Sequence, residues 1–212
     1  ISGEGLDRRF IQALGVLKDA AAQANLSLGL LEEEVAGAIS EAAQEVAGGK
    51  WDREFVVDVF QTGSGTSTNM NANEVIAHRA SRLLDPTGET KAVHPNDHVN
   101  RGQSSNDTIP TAMQASALLR IKSELVPALT LLEEALAAKA TEFAGVVKTG
   151  RTHLQDATPI TLGQVFQGFA GQVKRGIARL EFAQKELSEL PLGGTAVGPQ
   201  KNHRDHGAHA RA

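Results

Sequence analysis

A mainly α-helical chain is predicted by three features of the sequence. Long Ala-, Leu- and Glu-rich segments repeat their apolar residues at steps of three and four, three polar loops each lead into such a segment, and β-branched runs are scarce. Over residues 6–47 the positions Phe10, Leu14, Leu17, Ala21 and Ala24 form one stripe, and Leu31, Val35, Ala38, Ile39 and Ala42 form another. A break near Asn25–Gly29 divides this stretch into two helices, and Gly48–Gly49 stops the second. EFVVDVF at 54–60 is β-branched and aromatic, which predicts a short strand or extended segment. The polar stretch QTGSGTSTNMNANE follows, rich in turn and cap formers, and then a helix to about Leu84 that Asp85–Pro86–Thr87–Gly88 ends.

HPNDHVNRGQSSND at 94–107 is the second polar loop. Ser105, Asn106 or Asp107 is expected to cap the next helix, with Pro110 in or near its first turn. Met113, Ala117, Ile121, Leu125, Leu129, Leu132 and Leu136 mark a stripe roughly 35 Å long at the helical rise. Pro127 removes a backbone donor within it and is expected to kink it. The third polar loop, 148–158, precedes another long helix to about Leu190, with Pro159 near its start and PLGG beyond its end.

Composition narrows the function classes. Hydrophobic residues make up 41% of the 212 and charged residues 22%, the proportions of a globular domain rather than a disordered chain. A net charge of −4, with no basic helix and one Trp and no Tyr, argues against a nucleic-acid partner. No apolar run reaches the roughly 20 residues of a membrane span, so no membrane partner is expected. Cysteine is absent, which excludes disulfides, thiolate metal sites and a cysteine nucleophile and fits a reducing compartment. The chain opens on Ile1 rather than Met, so Ile1 is not expected to be the natural start.

The loops suggest chemistry. Free N–H groups and the macrodipole at a helix start seat anions, and Ser, Thr and Asn side chains add directed hydrogen bonds. Simple capping is the competing explanation for each loop, but a cap uses one side-chain oxygen, whereas Ser64–Asn69 and Ser104–Asp107 each offer several. Three such seats together suit a small dicarboxylate. His153, between Arg151 and Asp156 in TGRTHLQDATPIT, is a candidate acid–base group, although a lone histidine is more often a surface or satisfied core residue. His94, with Pro95, Asn96 and Asp97, forms a rigid polar turn that could hold a second anion or only shape the backbone. His78 and His98 read as structural and Glu74 as a dipole partner or core-edge ion pair, while Asp97, Asp107 and Asp156 could orient a histidine or cap a helix.

Four segments in order, QTGSGTSTNMNANEV at 61–75, HPNDHVN at 94–100, QSSND at 103–107 and GRTHLQDATPITLGQ at 150–164, resemble class II fumarase, of the fumarase/aspartase superfamily. The resemblance runs from about Leu14 to Gly198. Aspartases typically read GAGT, QSTND and GRTQLQDA where this chain has Ser64, Ser105 and His153. The resemblance implies a partial N-terminal helical domain over 1–106, part of a central helical bundle over 107–198, and a tail at 199–212 outside the family pattern. It implies reversible hydration of fumarate to (S)-malate through an aci-carboxylate intermediate, with no metal or organic cofactor. By similarity Ser64, Thr66, Ser104, Ser105, Asn106 and Thr152 bind substrate, His153 is the catalytic group that handles the water proton, and His94, Asn96 and Asp97 form a second anion site. It further implies a homotetramer whose active sites draw on three subunits, and a cytoplasmic location, or a mitochondrial one in a eukaryote.

Two departures qualify these expectations. A loop of the form GSSxMPxKxN, which in the family carries the serine thought to abstract the carbon-bound proton, is missing, as is the carboxylate that partners the histidine. The chain therefore reads as truncated at both ends and is not expected to turn over substrate alone. After GGTAVG at 193–198 the tail PQKNHRDHGAHARA leaves the pattern. Its His203, His206 and His209 share a spacing of three, but a frayed end is the expectation there rather than a metal site. Rival readings are a sister lyase such as aspartase or a mesaconate hydratase, and a non-catalytic helical association module.

Overall fold

The computed structural model describes residues 2–195 and the backbone of 198–199. Two compact units result. One is formed by the described residues up to Ala117 together with those from Glu189 onward, the other by Leu118–Ser188.

The first unit begins with the predicted helix pair, α1 (Arg8–Ser27) and α2 (Glu33–Ala47). Asp7 caps α1 by accepting the Arg9 N–H at 2.8 Å, one of the first-turn donors that the helix leaves unpaired. Leu17 and Ala24 of α1 join Leu192 in a small second cluster, while the two helices meet through Leu14 of α1 and Ala38, Ile39 and Ala42 of α2, all buried. Their approach is close because Gly15 presents no side chain. A Cβ there would lie 2.6 Å from the Ala47 nitrogen and 2.7 Å from the Ala43 oxygen of α2. α3 (Thr66–Leu84) lays Ala72, Ile76, Ala77 and Ala80 against the same core.

Residues 54–60 form no strand. A 3₁₀ turn spans Asp52–Glu54, Phe55 alone enters the core, and Val56 and Phe60 are exposed. A strand needs a neighbouring ladder, and here one backbone bond, Val59 N–H to the Glu4 carbonyl at 3.1 Å, is joined by side-chain contacts. Asn71 takes the Val56 N–H, and the Asp58 carboxylate takes the N–H groups of Phe60 and Gly3. The second polar loop holds a π-helical turn, Pro95–Val99, and leads to α4 (Ser105–Arg120). The cap is Ser104 rather than Ser105, Asn106 or Asp107. Its Oγ accepts the Asn106 N–H at 3.3 Å while Asp107 Oδ1 reaches back to the Ser104 N–H at 2.9 Å, the reciprocal arrangement of a capping box. Pro110 lies inside the helix, past its first turn.

The stripe expected to be one kinked helix is broken into parts. α4 ends at Arg120, a π-helical turn occupies Ile121–Leu125, and α5 (Val126–Glu142) follows. Pro127 lacks the N–H that would bond to Ser123, and its ring crowds that carbonyl, so the disturbance falls in the turn before the proline. In the second unit α5 packs against α6 (Leu162–Leu187), again through a glycine. A Cβ on Gly163 would lie 2.5 Å from the Ala140 oxygen. Phe143, Phe166 and Phe169 stack in sequence beside this contact. Leu131, Leu132, Phe169 and Phe182 remain substantially exposed.

Between these helices, where a polar loop was expected, the chain forms an antiparallel hairpin of β1 (Val147–Thr152) and β2 (Gln155–Thr161). Pro159 therefore sits in a strand, opposite Thr149, and not at the start of α6. A two-stranded ribbon has only edges, so a proline without a donor is accommodated. α6 is instead capped by a full capping box between Thr161 and Gln164. A last two-residue pair, β3 (Gly194–Thr195) with β4 (Gly198–Pro199), closes the described chain. The expected tail and its three histidines lie outside the described residues.

Candidate functional site

The first unit brings the first two polar loops together at the starts of α3 and α4. Gly65, at φ +68, is the residue before α3, and a Cβ on it would lie 3.0 Å from Ile109 of α4. The left-handed turn and this contact both favour glycine. On either side of it Ser64 and Thr66 point exposed hydroxyls whose oxygens are 2.9 Å apart. α3 has no side-chain cap at Gly65. Gln61 Oε1 accepts the Thr68 N–H at 3.0 Å from outside the helix instead. Ser104, Ser105 and Asn106 line the neighbouring start of α4, and Asn106 is exposed. Asn69 of α3 spans the two loops. Its Nδ2 donates to Asn100 Oδ1 at 3.1 Å and, in a longer contact of 3.5 Å, to Ser105 Oγ.

Such an arrangement presents five neutral hydroxyl or amide side chains at two adjacent positive helix ends, and it can bind an anion without a surface cation. Below it the polar groups are buried, and although the Oδ1 atoms of Asn25 and Asn69 accept no hydrogen bond, the nitrogens of these groups are paired. Lys18 of α1, fully buried, donates to Asn100 Oδ1 at 3.1 Å and to Gln103 Oε1 at 2.9 Å. Burial pushes its ammonium down to about 7, against the upward pull of the Asp107 carboxylate. Asn25, also fully buried, donates to the Arg101 carbonyl at 3.0 Å. The sequence reading missed these supports. Their signal was polar residues on buried stripes: Leu14, Lys18, Ala21 and Asn25 step along one face of α1, as Asn69, Ala72, Asn73 and Ile76 do along α3.

His94, Asn96 and Asp97 also lie in the first unit, as a compact turn. His94 Nδ1 accepts the N–H groups of Asn96 (3.3 Å) and Asp97 (3.2 Å), and the Asp97 carboxylate stands 3.1 Å from the same nitrogen. The His94 N–H in turn donates to His98 Nδ1 at 3.0 Å, which gives His98 a local structural partner. His94 and Pro95 border a cavity of about 320 Å³ lined also by Glu74, His78, Arg82 and Lys91.

Thr152 and His153 belong to the second unit. His153 (φ +51) and Leu154 (φ +62) are the two residues of the hairpin turn, with Thr152 paired to Gln155 across it. Two left-handed residues are the pattern of a type I′ turn, which Asn-Gly or Asp-Gly ordinarily fills. Here the backbone holds a histidine and a leucine in that region, and both side chains are exposed, Leu154 at 91%. At the next cross-strand pair, Arg151 and Asp156 face each other at 3.6 Å. Next to them, Gly150 marks a register shift where a Cβ would lie 2.5 Å from the Thr158 oxygen.

Comparisons with known proteins bear on these segments together. The profile of a family described as "Lyase" matches residues 3–209. A class II fumarate hydratase of Halobacterium salinarum is 59% identical over 95% of this chain and 43% of its own length. A mitochondrial fumarate hydratase of Saccharomyces cerevisiae is 56% identical over 91% of this chain and 39% of its own. Among solved structures, a class II fumarase from Schistosoma mansoni superposes with a TM-score of 0.94 at 39% identity, over 98% of this chain and 44% of that one. The chain thus spans about two fifths of the length of the curated relatives it matches. The resemblance read from four motifs, and the helical fold expected with it, are upheld. With a match across nearly its whole length, the chain belongs to the lyase family that this profile describes.

Proposed function

We propose that this chain carries part of the active site of a class II fumarate hydratase, which adds water to fumarate to give (S)-malate and catalyses the reverse. The observation that carries the reading is the meeting of the α3 and α4 starts, where Ser64, Thr66, Ser104, Ser105 and Asn106 gather beside Asn69. These groups, with Thr152, bind the dicarboxylate through neutral donors. Neutral donors can follow negative charge as it moves onto the aci-carboxylate in the transition state, where strong ion pairs would favour the ground state. His153 is the acid–base group for the water proton, presented to solvent on a two-residue turn. His94, Asn96 and Asp97 form a second anion site. The carbon-bound proton is left to a serine on a GSSxMPxKxN segment that this sequence lacks. The chemistry needs no metal or organic cofactor.

The partners proposed for the whole protein are fumarate, (S)-malate and three further copies, in a homotetramer. The exposed Leu131, Leu132 and Phe182 of the α5–α6 pair support burial between copies. Its proposed domains are 1–106 and 107–198, and its proposed location is cytoplasmic. Among the described residues no helix is long and apolar enough to cross a membrane. Binding of (S)-malate, aspartate and citramalate, read from backbone amide shifts, tests the substrate class. Shifts with malate at 64–66 and 104–106 are expected. A response to aspartate alone, or none at either segment, refutes the reading. Turnover, read as absorbance of the conjugated product, is expected only when a second polypeptide supplies GSSxMPxKxN.

A further inference from the structure

We propose that Lys18 is a positioning residue for the candidate site: its buried ammonium fixes the backbone that delivers Ser104, Ser105 and Asn106, and couples that loop to α3. The inference rests on the site reading above. Lys18 has no exposed surface, and an unpaired buried ammonium is costly, so what it pairs with is informative. Its two acceptors are the side chains of Asn100 and Gln103, both just before Ser104 in the chain. Asn100 Oδ1 also accepts from Asn69 of α3, so one oxygen joins α1, the second loop and the helix that starts beside Ser64 and Thr66. Both amides are tied back to the loop as well. Gln103 Nε2 donates to the Val99 carbonyl at 2.9 Å and Asn100 Nδ2 to the Gln103 carbonyl at 3.3 Å. The five residues 99–103 are thus folded around the head of one lysine, and Asn25 holds Arg101 from the same helix.

A methylene stem of that length could fill the space as methionine. The ammonium adds direction: it is a donor of hydrogen bonds only, so it orients both amides with their oxygens inward and their NH₂ groups toward the loop carbonyls and the backbone. The charge facing it is the Asp107 carboxylate of α4. Asn69 from α3, with Asn100 and Gln103 from the loop, faces it with neutral amides. Asp19 on α1 is turned to α2 by Ser40 and Gln44, and His98 of the π-helical turn is engaged by the His94 N–H. Because burial lowers the Lys18 ammonium to about 7, an opening of the loop that brings it to water takes up a proton above that value, so order in the loop should depend on the titration of Lys18.

Amide hydrogen exchange on the purified chain, wild type and Lys18→Met, tests this. Exchange of residues 99–107, corrected for its intrinsic dependence on pH, is expected to quicken about tenfold in the variant while the α2 amides keep their protection. In the wild type the same corrected rates are expected to fall as pH rises through the titration of Lys18, followed by the shift of its ζ nitrogen, and in the variant to show no such step. A variant that loosens α2 and the loop by the same factor, or a wild type whose loop ignores the titration, overturns the proposal. If Lys18→Met does not fold, the wild-type titration decides alone. Malate binding separates the two claims: a wild-type loop that follows Lys18 in a chain that does not bind malate refutes the substrate and leaves the positioning role standing.

Discussion

Replacing Gly15 by alanine tests how α1 and α2 are held together. The added methyl would lie 2.6 Å from the Ala47 nitrogen, 2.7 Å from the Ala43 oxygen and 2.9 Å from the Ala47 Cα, all backbone atoms of α2 that no rotamer change can move. Reaching an ordinary separation of about 3.5 Å requires the helices to part by roughly 0.9 Å, which forfeits a quarter or more of the dispersion contact along the seam. Overpacking of this kind costs about 1–3 kcal/mol, while alanine recovers up to about 1 kcal/mol of helix propensity over glycine. With Leu14, Ile39, Ala43 and Val46 fully buried along the seam, the packing loss outweighs the gain, and a net loss of about 2 kcal/mol is expected. Gly37 of α2 supplies the control: it is exposed and a Cβ there meets nothing within 4 Å, so Gly37→Ala is expected to stabilise. Thermal unfolding followed by circular dichroism should place the Gly15→Ala midpoint about 4–8 °C below wild type. A Gly15→Ala chain as stable as wild type or more so would refute the close-approach reading.

Four further expectations concern charge, backbone and chemistry. Because Lys18 titrates near 7 when folded and at its ordinary 10.5 when unfolded, the unfolded chain binds the extra proton between those values. Stability should therefore rise with pH across that window by at most about 1.4 kcal/mol per unit, and Lys18→Met should abolish the slope in urea titrations. Glu45 is held down to about 2, first by its hydrogen bond from Arg79, with Lys50 and Trp51 assisting. Its contribution is complete above the ordinary carboxylate value and lost as pH falls toward 2, so Glu45→Gln should flatten the acid limb of the unfolding profile. Leu154→Gly should stabilise the hairpin by about 1 kcal/mol, read as slower amide exchange in β1 and β2, because glycine enters the left-handed region without a Cβ clash. His153→Asn keeps a residue tolerant of that region and should leave exchange in the hairpin unchanged, while turnover complemented by the GSSxMPxKxN segment falls by about 100-fold or more.

Much of the helical core was legible in the spacing of small apolar residues, because the stripes read on α1 and α2 are largely buried. The identity and order of the first two polar loops were legible too. Less so was what supports them. Lys18, like Asn25, interrupts a buried face of α1, and a pattern that scores hydrophobic residues passes over the buried lysine that reaches an amide pair 82 and 85 residues away. The hairpin at 147–161 was hidden for a local reason: His153–Leu154 has none of the residues that ordinarily announce a two-residue turn, and a glycine and a proline interrupt its strands. EFVVDVF misled in the opposite sense, since its strand-forming side chains found no partner strand. In each case a distant or cross-strand contact overrode the local preference.

The carboxylate of Asp107 has a consequence for the order in which the first unit can be completed. It is wholly buried, with one oxygen given to the Ser104 N–H and Thr108 hydroxyl and the other to the Gly193 N–H at 2.8 Å. A ribosome making this chain delivers Asp107 some 86 residues before that last donor, with the whole of Leu118–Ser188 in between. The nascent polypeptide must therefore keep one acidic oxygen hydrated while the intervening hairpin of helices emerges. Sealing of that corner, where Leu192 also joins Leu17 and Ala24, therefore comes only after the whole of the intervening pair of helices has been synthesised.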